Sequence, residues 1–539
     1  MAAPDLSPQP RPANHRRRHS RWRDRFIALL VAVLVVPLAL VGFGLARFGG
    51  DLPEDHADPE EHFKYGSTGG ERVSGFPYWI WRALPQVCAE HLPGPGYASL
   101  GLIYENGPDG KPHDLPVGMS RRRYQGVERV FLNCAACHTG TMRSAPGRAP
   151  LLVLGMPANG FNIMAFEKFF FRCAADPKFT AERVIPEIER QGAVLDPLDR
   201  YVIYPLAIAL MRDRILQLAG RFDFVWHQHD WGPGRVDTFN AAKVLFNFPL
   251  TCKPGAPCVD ERELNAPGDF PAIWNQRQKQ GMQLHWDGNN NLFQERDKSA
   301  AFGTGTTPPT LDVERVGRVE QWLLDARPPD FRQHFAIDQD LALRGSSTYR
   351  AYCAGCHGES GQSFALPAAE RRTDCVNPGE PDGALYGPKV GRITRWEDIR
   401  TDRRRLDSYS RDLAVNQATL YAGYDWRFCH FRKTQGYANL PLDGLWLRAP
   451  YLHNGSVPTL RDLLEPAAKR PVEFYRGNDV YDPERMGFVS SAASEAGRSY
   501  FRYDTQLPGN SNAGHEGRAY GTELPDDDKA ALVEFLKTF

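Results

Sequence analysis

The chain has 539 residues, in which 65 Lys and Arg balance 65 Asp and Glu. That length allows two or three domains, each with its own core. The zero net charge gives no electrostatic reason to expect nucleic acid or another polyanion as partner.

Residues 1–25 are basic, with Arg11, Arg16, Arg17, Arg18, Arg21, Arg23 and Arg25 against Asp24 alone in the stretch 11–25. Residues 26–46 then run from Phe26 to Ala46 without a charge, and Arg47 ends the run. Such a segment suffices to cross a bilayer, and the arginines hold its start in the cytoplasm. A cleaved signal peptide competes, because Gly44-Leu45-Ala46 offers small residues to a peptidase; signal cores are shorter, about 7–15 residues, so an uncleaved anchor is expected. Pro37 is tolerated in lipid. The expected location is the bacterial inner membrane, single-pass, with everything after about residue 50 in the periplasm.

Residues 47–75 read as a polar linker and residues 76–335 as a first large domain. Within it stands Cys134-Ala135-Ala136-Cys137-His138. Phe166, Phe169 and Phe170 fall three and four apart and predict a helix with one apolar face. Tyr201 to Leu218 is apolar but interrupted by Arg212, Asp213 and Arg214, which makes it a packed helix of the body. The stretch 231–310 is rich in turn residues and long enough to suggest a functional loop region; it contains Trp274, His285 and Trp286. Val313 to Leu324 predicts a further helix.

Residues 336–539 form the second expected domain, with Cys353-Ala354-Gly355-Cys356-His357 preceded by Gly345 to Arg350, which reads as a capped helix start. Asp526, Asp527 and Asp528 open a terminal helix over Lys529 to Phe539, with Ala531, Leu532, Phe535 and Leu536 at helical spacing.

Cys-x-x-Cys-His is the attachment pattern of a c-type haem. Two thiols one turn apart can bond the two vinyl groups of one porphyrin, and the adjacent imidazole then reaches the iron. A zinc knuckle would want further ligands nearby, and a thioredoxin-like pair would sit in a strand–helix unit. Two covalently bound haem c groups are therefore expected, on Cys134, Cys137, His138 and on Cys353, Cys356, His357. Of ten cysteines, six remain. Cys252–Cys258 closes a Pro/Gly loop; Cys375–Cys429 and Cys88–Cys173 follow by arithmetic alone.

The sixth position on each iron decides the chemistry, because a second strong ligand leaves electron transfer and an open position admits peroxide or dioxygen. After the second motif the candidates are His515, then His453, with His430 and Met486 behind them. For the first they are His227, His229, His285, Met142, Met156, Met164 and Met282, and none stands in a context that singles it out.

The two motifs, with Ala449 to Leu460 (APYLHNGSVPTL) after the second, resemble the bacterial dihaem cytochrome c peroxidase and MauG superfamily. Asn133 to Gly140, Trp231 to Asp237, Phe270 to Asn275, His285 to Asn290 and Gly509 to His515 are closer still to the dihaem rubber oxygenases and their relatives. The resemblance covers most of residues 95–539. It implies a reactive amino-terminal haem on His138, a carboxy-terminal haem held by His357 and His515 that passes electrons, and a tryptophan, Trp274 or Trp286, between them. Rubber-cleaving enzymes are secreted, whereas this chain reads as tethered. The superfamily also commonly binds calcium between domains; acids are available, but no recognisable calcium loop is present.

The expected fold is mainly α: two cytochrome c-like haem domains, the first enlarged by loops and extra helices, behind an amino-terminal transmembrane helix. The expected function is an oxidoreductase that activates peroxide or dioxygen at the first haem, served by a small-molecule oxidant or a redox partner protein. The alternative is a pure electron carrier with both haems six-coordinate.

Overall fold

A computed structural model describes residues 15–107, 110–246, 248, 259–362, 364–371, 375 and 383–539, with side chains from residue 22 onward. Its contacts define two units. The first comprises residues 1–52 with 123–127 and is built on α1 (His15–Phe48). The Trp22–Phe48 part of α1 is long and apolar enough to cross a membrane, and a helix of this kind serves either as an anchor or as a signal sequence.

The second unit gathers residues 53–122 and 128–539, so both Cys-x-x-Cys-His motifs lie in it. Its described strands are short, six residues at most, and helices carry most of the order. Composition marks 47–75 as linker, yet the second half of that segment is folded. In α2 (Pro59–Tyr65) the Asp58 carboxylate caps the amides of Glu60 and Glu61, Pro59 starts the first turn, and His62, Phe63 and Tyr65 are buried. The cap, the two buried aromatics and the acids of the opening turn, which suit a helix amino terminus, all favour this helix.

The helix α3 (Tyr78–Val87) is joined to α4 (Ile163–Ala175) by the Cys88–Cys173 disulfide. The expected apolar face of α4 is present: Phe166, Phe169 and Phe170 are buried, and Phe170 stacks on Phe76 at 4.3 Å between ring centroids. Next, α5 (Tyr204–Arg221) buries Tyr204, Ile208, Met211 and Ile215 while Leu206 and Leu210 stay exposed. Within the described part of the stretch 231–310 lies α6 (Phe293–Gly303), and α7 (Val313–Asp325) follows from an Asp312 cap.

The helix before the second motif, α8 (Gln339–Tyr352), is capped by Asp338. Gly345 to Arg350 therefore lies within it and does not start it. The glycine serves packing instead: a Cβ on Gly345 would stand 1.9 Å from the Ala531 carbonyl oxygen. Ala531 belongs to the terminal helix α9 (Asp526–Leu536), so the two helices touch backbone to backbone. After the first motif comes a hairpin of β1 (Thr139–Met142) and β2 (Leu151–Leu154). After the second, β3 (Ile393–Arg395) pairs with β4 (Gly436–Ala438). Cys375 and Cys429 form a disulfide; Cys252 and Cys258 lie outside the described residues.

Candidate functional site

The first motif follows a cap in which the Asn133 side chain accepts the Ala135 amide at 3.0 Å. The turn presents Cys134, Cys137 and His138, none of them fully covered. His138 Nδ1 lies 2.9 Å from the Pro271 carbonyl oxygen. A carbonyl only accepts, so Nδ1 carries the proton and Nε2 keeps a free lone pair, the form that binds a metal. Burial, then the charge of Arg296, holds the His138 pKa down to about 3, against the Pro271 bond.

The second motif repeats this chemistry at the end of α8. His357 Nδ1 donates to the Leu440 carbonyl at 2.7 Å, and burial lowers its pKa against that bond. The Tyr349 hydroxyl fixes the turn by donating to the Gly358 carbonyl at 2.7 Å. Cys134, Cys137, Cys353 and Cys356 are the free cysteines among the described residues, each partly accessible.

The structure separates the two histidines expected to face His357. The His515 ring lies 6.5 Å from that of His357 between centroids, planes at 44°. Two imidazoles on one metal, each bonded at about 2 Å, place their centroids roughly 6 Å apart, so this pair fits an iron between them. His515 is held in the left-handed region, φ 48°, and its amide donates to the Ile399 carbonyl at 2.8 Å. Burial first, then His357 and Arg470, push its pKa down to about 3. His453 instead stacks on Tyr437 at 4.2 Å, with Nε2 3.1 Å from the phenol oxygen. His430 is bound to Glu295 at 2.7 Å, and Met486 is fully buried in the apolar core.

No second histidine ring meets His138 among the described residues; its ring neighbour is Phe270, 6.4 Å away. His227 and His229 bond backbone carbonyls on the surface. Met142, Met156, Met164 and Met282 are buried in core clusters. His285 differs from these: its pKa is forced far down by burial, then by Arg296 and Arg405, although the residue as a whole is half-buried.

Trp274 is completely buried, and its Nε1 donates to the Leu154 carbonyl at 2.7 Å. A Cβ on Gly155 would stand 2.5 Å from that nitrogen, and one on Gly444 2.7 Å from Cζ3 at the far edge of the indole. The Gly155 amide donates to the His138 carbonyl at 2.8 Å, and Gly444 lies four residues beyond Leu440, which holds His357. The indole thus fills the interval between segments that position the two motif histidines. Trp286 is half-buried and donates to the Asp269 carbonyl at 2.8 Å, two residues from Pro271. A cleft of about 790 Å³ is lined by Leu152, Leu154 and Trp322 among others, and no motif residue borders it.

Residue patterns gave no role to Pro271, Leu440, Gly155, Gly444 or Arg470. Four act through backbone that only the fold brings near; Arg470 donates to the carbonyls of Asn512, Gly514 and His515. A Cys-x-x-Cys-His turn whose histidine is tied to a carbonyl and faced by a second imidazole is the ligand set of a c-type cytochrome. In keeping with that class, residues 436–476 match the family model described as RoxA-like, cytochrome c-like. The match supports a place among RoxA-like cytochromes and implies haem c. The chain is also 27% identical to the uncharacterized protein y4iJ of Sinorhizobium fredii, over 96% of this chain and 99% of that one. To y4iM of the same organism it is 29% identical, over 57% of this chain and 72% of that one.

Proposed function

We propose that the chain is a periplasmic dihaem c-type cytochrome, held at the inner membrane by α1, and an oxidoreductase acting on peroxide or dioxygen at the first haem. His138 would hold the first iron, His357 and His515 the second, and the four motif cysteines the two porphyrins. Bound there, haem supplies an iron that exchanges one electron and, with a free side, takes an oxygen ligand. The observation that carries this reading is the asymmetry of the two motifs: His357 is faced by His515 at 6.5 Å, whereas Phe270 is the ring beside His138.

In this reading the Pro271 and Leu440 carbonyls orient both motif imidazoles by accepting from Nδ1, and Trp274 fills the space between the haem-bearing segments as the bridge, with Trp286 behind Pro271. The reactant is a small-molecule oxidant, electrons come from a redox partner protein, and nucleic acid has no part. Absorption and EPR spectra of the oxidised holoprotein test it: one haem should be low-spin and inert, and the other should bind cyanide. Two low-spin haems, both indifferent to cyanide, carbon monoxide and peroxide, would overturn it in favour of a pure electron carrier.

A further inference from the structure

The helix α5 carries a second apolar face that the core does not cover. Its inner side is buried through Tyr204, Ile208, Met211 and Ile215. On the outer side Val202, Leu206 and Leu210 recur four apart, which sets them along one stripe; Val202 belongs to the π-helical turn Asp199–Ile203 that leads into α5. These three are 51%, 55% and 54% exposed, and Tyr201 is 72% exposed. Surface helices ordinarily turn polar residues to this side, and the second half of α5 does so with Asp213, Arg214 and Gln217. Outside residues 194–216, no ten described residues of the second unit expose more than two large apolar side chains.

A contiguous apolar patch of this kind marks a contact with lipid or with protein, and three features favour lipid. The ten residues 49–58 between α1 and α2 span about 35 Å at full extension, so an anchored α1 keeps the body beside the bilayer and makes even a weak lipid contact intramolecular. The face is small: a lasting contact with a second copy takes roughly 20–30 residues a side, whereas an interfacial helix needs only one apolar face. Tyr201 supplies an amphipathic ring of the kind that settles at headgroup level, bordered by Arg200, which lies 5.6 Å from the ring centroid and pairs with Glu189. Acids and arginines alternate around the face, as Asp196, Asp199, Arg200, Asp213 and Arg214. Apolar burial, rather than attraction to anionic headgroups, is then the source of attachment.

We propose that Tyr201, Val202, Leu206 and Leu210 form a membrane-docking face that sits in the boundary between headgroups and acyl chains of the bilayer holding α1. The proposal rests on the reading of α1 as an anchor and adds a second point of attachment to it. Two points fix which side of the body faces the membrane, which a polar tether alone does not.

The full-length holoprotein in phosphatidylcholine vesicles, doped with a phospholipid that carries a photoreactive diazirine in its acyl chain, tests this once labelled peptides are mapped by mass spectrometry. Wild type should be labelled in α1 and again within residues 194–214. The double variant Leu206→Asp, Leu210→Asp should lose at least fivefold of the second label while α1 keeps its own. Leu343→Asp, at an exposed apolar residue of α8, should change neither. Leu206→Ser with Leu210→Ser serves if the aspartates prevent accumulation. Label confined to α1 in wild type overturns the proposal, as does equal label in wild type and the double variants. If that wild type is also a dimer in detergent and the double variant a monomer, the face belongs to a second copy. A mature chain that begins after Ala46 and washes off the vesicles refutes the anchor reading, and the docking face with it.

Discussion

The rings of His515 and His357 face each other with 6.5 Å between centroids, although 158 positions separate them in the chain. Replacing His515 with Ala should convert one haem from low-spin to high-spin and make it bind cyanide. Replacing His453 with Ala should leave both spectra alone, because that ring is engaged with Tyr437. EPR of the two oxidised variants checks this; the reverse pattern would hand the ligand role to His453.

Arg470 closes the loop that carries His515 through three backbone carbonyls within it. Hydrogen bonds to a charged donor contribute about 1.5–3 kcal/mol each. They are not additive, so Arg470→Met should cost about 3 kcal/mol of stability. The loop should also loosen, and a high-spin fraction should grow on mild warming before global unfolding. Thermal scans followed at the Soret band and by far-ultraviolet circular dichroism separate the two events; coincident traces would show that Arg470 supports the fold alone.

Gly345→Ala sets two effects against each other. Alanine is favoured over glycine within a helix by about 1 kcal/mol, but its Cβ would stand 1.9 Å from the Ala531 carbonyl oxygen. Overpacking of a rigid contact costs about 1–3 kcal/mol, and backbone cannot yield as a side chain does. A net loss of up to about 2 kcal/mol is expected from that difference, read from denaturant midpoints. A stabilised variant would refute the close approach of α8 and α9.

Glu167, on α4, makes no hydrogen bond or ion pair among the described residues, and burial raises its carboxyl from 4.5 to about 8, with Lys168 opposing. The unfolded chain releases this proton near 4.5 and the folded protein near 8, so the folded state holds more protons in between. Stability from this group is therefore full below pH 4.5 and falls as pH rises to about 8. Glu167→Gln should flatten that slope and exceed wild type above pH 8 by on the order of 1 kcal/mol. Thermal midpoints from pH 5 to 8.5 measure it; parallel curves would exclude a raised carboxyl.

Local pattern was a good guide wherever a short stretch carries its own physics. The apolar face of Phe166, Phe169 and Phe170, the acid-led terminal helix and the apolar amino-terminal helix all depend on neighbours within one or two turns, and all are present. Gly345 and the segment after Asp58 were misread because their partners are remote. A glycine is ambiguous until the helix it touches is known, and acids around a cap resemble a linker until the aromatics behind them find a core. The pairings Cys88–Cys173 and Cys375–Cys429 matched simple arithmetic, which alone could not have distinguished them from other combinations.

By itself the sequence carried the pattern from which haem attachment is expected. Two cysteines and a histidine within five residues are a complete pattern, and no other part of the chain is needed to recognise it. Only the tertiary structure decided what surrounds each motif histidine. The carbonyls of Pro271 and Leu440, the imidazole of His515 and the guanidinium of Arg296 lie between 83 and 158 positions from the motif histidine they act on. Such neighbours leave no local spacing to read, because coordination and electrostatics depend on distance in space, which the packing of the whole second unit sets.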